Sequence, residues 1–321
     1  MANVYDIVTE RICKQLSEGI IPWEKPWLCI RGERVGGWSH KTGTSYSLVN
    51  QLMLPSEGEY ITFRQIRDEG GQLKQGATGY PIVFWKNYTV KVKNPDTNVE
   101  EDQDIPCLRY YTVYRIEDCE GITPNFSADH NELDGCTEPQ RCKAAEAIIA
   151  EYIKTSGVKL VHSAQDRAYY TPFTDTVTLP LKKQFGRSKK AEYYSTAFHE
   201  LIHSTGHRDR LNRLGTDTST PRVARGASYS LEELVAEIGA CSILHNLRLE
   251  TKASIKNSNA YCLSWLQVLH NDTKMLVKAA GRAQKAVRYI YEGPDGLKPH
   301  GDWKPVKPVL DDGSHDTLPW D

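Results

Sequence analysis

Apolar residues at Val4, Ile7, Val8, Ile12 and Leu16 recur at helical spacing, and Gly19 closes the run, so residues 4–18 predict an amphipathic helix. The stretch "IIPWEKPW" follows, and its two prolines predict an extended passage around two tryptophans. From "SYSLVNQLML" to about residue 93 the pattern breaks into short helix or strand pieces punctuated by glycine. "YPIVFWKNYTVKVK" and "CLRYYTVYRIED" are dense in β-branched and aromatic residues and read as strands. The acidic "NPDTNVEEDQD" between them is the expected loop of a long antiparallel hairpin. Residues 121–139 hold Pro, Gly, Asn and Asp without periodicity, which is the texture of a linker.

The second half has a helical texture. A helix is expected over 140–156, stopped by Gly157, then short strands at 158–162 and 174–179. A further helix spans 190–206, with Gly206 as its stop. "SLEELVAEIGACSILHNL" predicts another, with Ser230 as N-cap and Glu233 completing a capping box. Residues 259–292 give one or two amphipathic helices, interrupted near Asn271, before an irregular tail rich in Pro, Gly and Asp. The whole reads as an α+β chain of two domains: 1–125 with mixed α/β texture, a linker at 126–139, a mainly helical domain with a small sheet at 140–293, and the tail 294–321.

Composition narrows the setting. No run of eighteen apolar residues exists, so no membrane partner is expected. The first residues lack the apolar centre of a signal peptide, and the eight cysteines form no C-x-x-C pair; a cytoplasmic protein with reduced thiols is expected. The net charge of −1 conceals a pattern. Residues 1–93 carry +3, residues 94–140 carry −10, and the remainder carries +6.

The sharpest chemistry lies in "FHELIHSTGHRDR". On a helix, positions four apart share a face, so His199 and His203 are placed to hold one metal ion. Glu200 is set to take a proton from a water on that ion as the water attacks a carbonyl, the catalytic base of a peptidase. The third ligand has two sources. Asp209 stands at the metzincin position, and His207 is a further local candidate, but a methionine turn is missing: the chain has only Met1, Met53 and Met275. The rival is the helix that follows, where Leu231, Leu234, Val235 and Ile238 form an apolar stripe. Glu233 and Glu237 lie one turn apart on the adjacent face, and Glu232 is expected to point elsewhere. This is the gluzincin arrangement, with Glu233 as ligand and Glu237 orienting a ligand histidine; Glu233 is preferred over Asp209. Zinc suits two imidazoles and a carboxylate, with manganese an alternative. Tyr229 and His207 are candidates for stabilising an oxyanion.

Three groups of residues, "HELIHSTGHRDRLNR", "YSLEELVAEIGA" and "SNAYCLSWLQVLHND" with "AAGRAQKAVRYI", resemble the ArdC-type antirestriction proteins of conjugative plasmids. "GIIPWEKPW", "SYSLVNQLML" with Asn50, "GYPIVFWK" and "YYTVYRIEDCEG" extend the resemblance to the first half. The resemblance implies an N-terminal domain that binds single-stranded DNA, a C-terminal zincin-like metallopeptidase domain, and protection of incoming plasmid DNA from host restriction. It also implies His199, His203 and Glu233 as metal ligands and Glu200 as catalytic base. An unidentified protein substrate is the second implied partner.

Binding single strands without sequence preference calls for aromatic faces and phosphate-tracking cations. The candidates are Trp23, Lys25, Trp27, Arg31, Arg34, Trp38, Lys41, Tyr46 and Asn50. Two other readings stand beside this one: a DNA-binding protein whose metal is structural, and a peptidase without a DNA role.

Overall fold

In the computed structural model, which describes residues 3–24, 34–93, 99–129, 131, 133–186, 189–214, 227–249 and 258–294, the chain opens with the predicted helix, α1 (Val4–Ser17). Asn3 caps it through a reciprocal pair with Asp6, and Gly19, at φ +76°, takes the left-handed turn that ends it. A single 3₁₀ turn, Pro22–Glu24, replaces the start of the expected extended passage, since the fixed proline φ also suits a turn's first residue. The rest of that passage, with Lys25, Trp27 and Arg31, lies outside the described residues.

Next come β1 (Gly37–Ser39), α2 (Leu48–Gln51), β2 (Gly58–Thr62), α3 (Phe63–Asp68), β3 (Gln72–Leu73), β4 (Tyr80–Lys93), β5 (Glu100–Arg115) and β6 (Cys119–Glu120). Four of these strands form a sheet in the order β1-β2-β5-β4, with β1 parallel to β2 and the other pairs antiparallel. β3 and β6 make a separate antiparallel pair.

The long hairpin is present, but its loop is shorter than the acidic segment suggested. β5 begins at Glu100, so Glu100 pairs opposite Lys93 and Asp102 opposite Lys91. Acids facing lysines, and the 2.7 Å bond from Thr89 Oγ1 to Asp104, let an acidic run serve as strand. β4 lies at the sheet's edge, and Asn50 finishes that edge: its amide accepts from Val83 N–H at 2.8 Å and donates to Val83 C=O at 2.9 Å.

The remaining elements are α4 (Glu138–Ser156), β7 (Lys159–Ser163), β8 (Tyr169–Thr171), β9 (Thr176–Pro180), α5 (Lys182–Phe185), α6 (Lys190–Ser204), α7 (Ala227–Asn246), α8 (Ser258–Asn271) and α9 (Met275–Glu292). α4 starts before residue 140 because Thr137 and Gln140 close a capping box ahead of it. β8, absent from the sequence reading, completes a sheet of order β7-β9-β8. α7 begins at Ala227, which corrects the reading of Ser230 as N-cap and of Glu233 as its capping partner; Glu233 stands inside the helix. The break near Asn271 is real: Asp272 accepts from the Lys274 N–H and restarts the chain as α9.

One hydrophobic cluster joins α1, Trp23, α2 and Val83 of β4 to α4, α6, α7, α8 and α9. The core therefore crosses the expected linker, and Thr9 of α1 donates to the Thr273 carbonyl at 2.9 Å. The four-stranded sheet has smaller clusters of its own, around Tyr60 and around Ile61. No helix among the described residues is long and apolar enough to cross a membrane.

Candidate metal centre

Helix α6 buries Tyr193, Tyr194, Ala197, Phe198, Leu201 and Ile202. His199 and His203, one turn apart, bring their Nε2 atoms to 3.1 Å of each other, with the rings edge to face. Glu233 of α7 completes the group, with Oε2 3.3 Å from His199 Nε2 and Oε1 3.3 Å from His203 Nε2. Among the described residues these three form the group of potential ligands that lies close enough to share an ion. The separations fit a metal well. Ligand atoms about 2.0–2.1 Å from a tetrahedral ion stand about 3.3 Å apart, and two imidazoles with one carboxylate leave a fourth position open.

Gly239 makes room where α7 approaches α6. A Cβ at that position would stand 2.7 Å from Ile202 Cδ1, so any larger residue forces the Ile202 side chain or the helices to shift.

Burial alone would raise the Glu233 carboxyl, but hydrogen bonds and charge from His199 and His203 hold it well below the usual carboxylate range. Burial alone would lower His199; its hydrogen bond to Glu233 and the charges of Glu237, Glu200 and Glu233 raise it instead. Glu200 is buried, near enough for its charge to act on His199. Glu237 is half-buried on α7, near enough for its charge to act on His199.

Glu232 corrects the sequence reading, in which it points away. It is buried, with Oε1 3.6 Å from His203 Nδ1, the ring nitrogen that faces away from the ligand triangle. Arg213 holds it from the other side with two contacts, 2.8 and 3.2 Å. Burial opposes its charge, yet Arg213 first and His203 next lower the Glu232 carboxyl to about 2. Arg213 also donates to Thr205 Oγ1 and to the Ile202 carbonyl, both at 2.8 Å, so it ties the end of the histidine helix to α7. At 3.6 Å Glu232 makes no hydrogen bond to His203 Nδ1, a buried nitrogen with no hydrogen-bond partner among the described residues, and it bears on the ring through charge.

The local alternatives lie elsewhere. The Asp209 side chain is 71% exposed and pairs with His207 and Arg208 outside the triangle. His207 pairs with Asp209 and does not join the cluster of His199, His203 and Glu233, and the Tyr229 side chain lies outside the described residues. Arg210 anchors that loop, donating to the Ser204 carbonyl at 2.8 Å and to Asp175 Oδ2 at 2.9 Å.

The DNA candidates separate by burial. Trp23 is 1% exposed and packs edge-on against Trp265, and Trp38 is buried with its indole N–H 3.3 Å from Glu59. Neither offers a ring face, which corrects their reading as stacking residues. Asn50 is spent on Val83 and on Ser47. Arg34 pairs with Asp129 and lies over the Phe126 ring. Lys41 is exposed, and Tyr46 lines a large cleft shared with α9.

Comparison with known proteins agrees with both halves of this architecture. Residues 2–114 match the N-terminal domain of the anti-restriction factor ArdC, and residues 144–282 match a zincin-like metallopeptidase family. Two Escherichia coli proteins named DNA primase TraC are 31% and 29% identical over 89% of this chain. The chain spans 20% and 27% of their lengths. An uncharacterized Sinorhizobium fredii protein, y4eC, is 27% identical over 90% of this chain and 92% of its own. The crystal structure of the antirestriction protein ArdC from plasmid R388 superposes with a TM-score of 0.61 in metal-free form, at 30% identity over 90% of this chain and 97% of that one. Its Mn(II)-bound form gives 0.62 at 29% identity over the same shares. A solved relative that takes Mn(II), together with the three clustered side chains, supports a divalent metal here. With both domains matched and a solved relative aligned over nearly its full length, the chain belongs to the ArdC family of antirestriction proteins.

Proposed function

We propose that this protein binds single-stranded DNA through its first domain and carries a metal-dependent peptidase site in its second, acting in the cytoplasm to protect incoming plasmid DNA from restriction. The observation that carries the peptidase reading is the triangle of His199, His203 and Glu233 with Glu200 near His199. These three residues would hold the ion, zinc by donor chemistry and manganese by likeness to the R388 protein. When bound, such an ion supplies Lewis-acid polarisation and lowers the pKa of a water to near neutrality. Glu200 accepts the proton, and Glu232, held by Arg213, acts on the His203 ring through charge. Glu237 bears on His199 through its charge. The substrate is an extended peptide of a protein not yet identified. The names of the two primases support placing the first domain at DNA.

The test is Glu200→Gln, measured for metal content, for cleavage of an unfolded protein such as casein, and for protection of transferred DNA. The expected variant keeps its metal and loses cleavage by about 10²–10⁴-fold. If wild type and variant protect DNA equally, the metal site serves architecture and not the biological role.

A further inference from the structure

A cleft of about 1190 Å³ lies between the edge of the four-stranded sheet and helix α9. It exceeds the roughly 300–1,000 Å³ of small-molecule pockets, as a polymer's track does. One wall is aromatic. Phe84 and Tyr111 pack at a tilt with ring centroids 5.5 Å apart, Tyr46 stands beside them, and Trp85 is 56% exposed. The opposite wall is cationic, formed by Arg282, Lys285 and Arg288, which recur every three residues along α9.

None of the described residues lining this cleft is an aspartate or glutamate. Two further lining arginines, Arg210 and Arg213, are engaged with Asp175 and Glu232. Arg282, Lys285 and Arg288 make no ion pair with any described residue, and the Arg288 Nε atom is buried without a hydrogen-bond partner among them. A row of cations without ion-pair partners among the described residues, opposite exposed aromatic rings, has the two chemistries a single strand needs: charge for the phosphates and π-faces for unpaired bases.

We infer that the cleft between the sheet edge and α9 is the track for single-stranded DNA, with Arg282, Lys285 and Arg288 on the phosphates and Trp85 as a stacking platform. The inference rests on the proposed DNA function and places it across both domains rather than in the first alone. It moves the contacts away from Trp23 and Trp38, whose rings are enclosed.

The test measures fluorescence anisotropy of the full-length protein with a labelled oligo-dT of roughly 16 nucleotides over a salt series. The combined Arg282→Ala and Lys285→Ala variant is expected to bind about tenfold more weakly at low salt. Its log–log salt slope should be shallower by about 1.4, the loss of two phosphate contacts. Trp85→Ala is expected to weaken binding about fivefold or more with little change of slope. Lys278→Ala, on the same helix but outside the cleft, is expected to bind as wild type, and circular dichroism of each variant checks its fold. Unchanged affinity and slope in the double variant, with wild-type binding intact, would overturn the cleft and leave the DNA function standing. No oligonucleotide binding by wild type overturns both, and tighter binding of a duplex of equal length overturns the single-strand assignment.

Discussion

Gly239 of α7 meets Ile202 of α6 so closely that an added Cβ would stand 2.7 Å from Ile202 Cδ1. Ile202 is enclosed, so the extra volume has nowhere to go without moving the Ile202 side chain or a helix. Gly239→Val is therefore expected to destabilise the fold by about 1–3 kcal/mol and to weaken metal binding, although no ligand changes. Titration of metal-free protein with Zn(II) or Mn(II), alongside far-UV circular dichroism, checks this. Wild-type metal affinity in a folded Gly239→Val protein would show that the helix spacing does not set the ligand geometry.

Glu232 stands behind His203 and is clamped by Arg213. Glu232→Gln removes the negative charge behind the ring and is expected to cost about tenfold in metal affinity, the lower end of what loss of such a partner costs elsewhere. Competition against a chelating dye measures it. Asp209→Asn, an exposed change, is the contrast and should bind metal as wild type does.

Asp175 anchors Arg210, which in turn holds the end of the histidine helix at the Ser204 carbonyl. Burial tends to raise the Asp175 carboxyl, but hydrogen bonds from Arg210 and Tyr170 bring it below its ordinary value. A carboxyl whose folded pKa is depressed adds stability that is present above the unfolded pKa of about 3.9. That stability is lost as pH falls through the lower folded value. Asp175→Asn is expected to lower the melting temperature of metal-free protein at pH 7, with the difference from wild type closing below about pH 4. Asparagine tolerates the φ of +46° at this position, so the variant isolates the charge. A gap that persists unchanged at low pH would assign the effect to packing.

Asn50→Ala would leave the buried Val83 N–H and C=O unpaired at the sheet edge. The expected cost is roughly 2–4 kcal/mol, read as a lower urea midpoint. Because the same residue lines the cleft without offering it a free polar group, oligonucleotide binding by the folded variant should change little.

The residues that were legible in the sequence are those fixed by local spacing. His199 and His203 sit one turn apart on any helix, and Glu233 stands on a face that the Leu231–Ile238 stripe defines. β4 and the break before α9 also follow from short-range pattern. What escaped depends on contacts distant in the chain. Arg213 reaches Glu232 only because the loop after α6 folds back, with the Leu214 N–H on the Gly206 carbonyl. Residue type did not separate enclosed tryptophans such as Trp23 from the exposed Trp85, since that depends on which helices pack over them. β8 spans three residues, too few for alternation to register.

Arg213 lines the cleft with one part of its surroundings and steadies the metal helix with the other. A ligand in the cleft that draws on this guanidinium must act on Glu232, and through it on His203. Binding free energies are reciprocal, so whatever factor such a ligand imposes on metal affinity, the metal imposes on the ligand. Were DNA in the proposed cleft to draw on this arginine, its occupancy and the loading of the metal centre would form a thermodynamic pair, each reporting on the other.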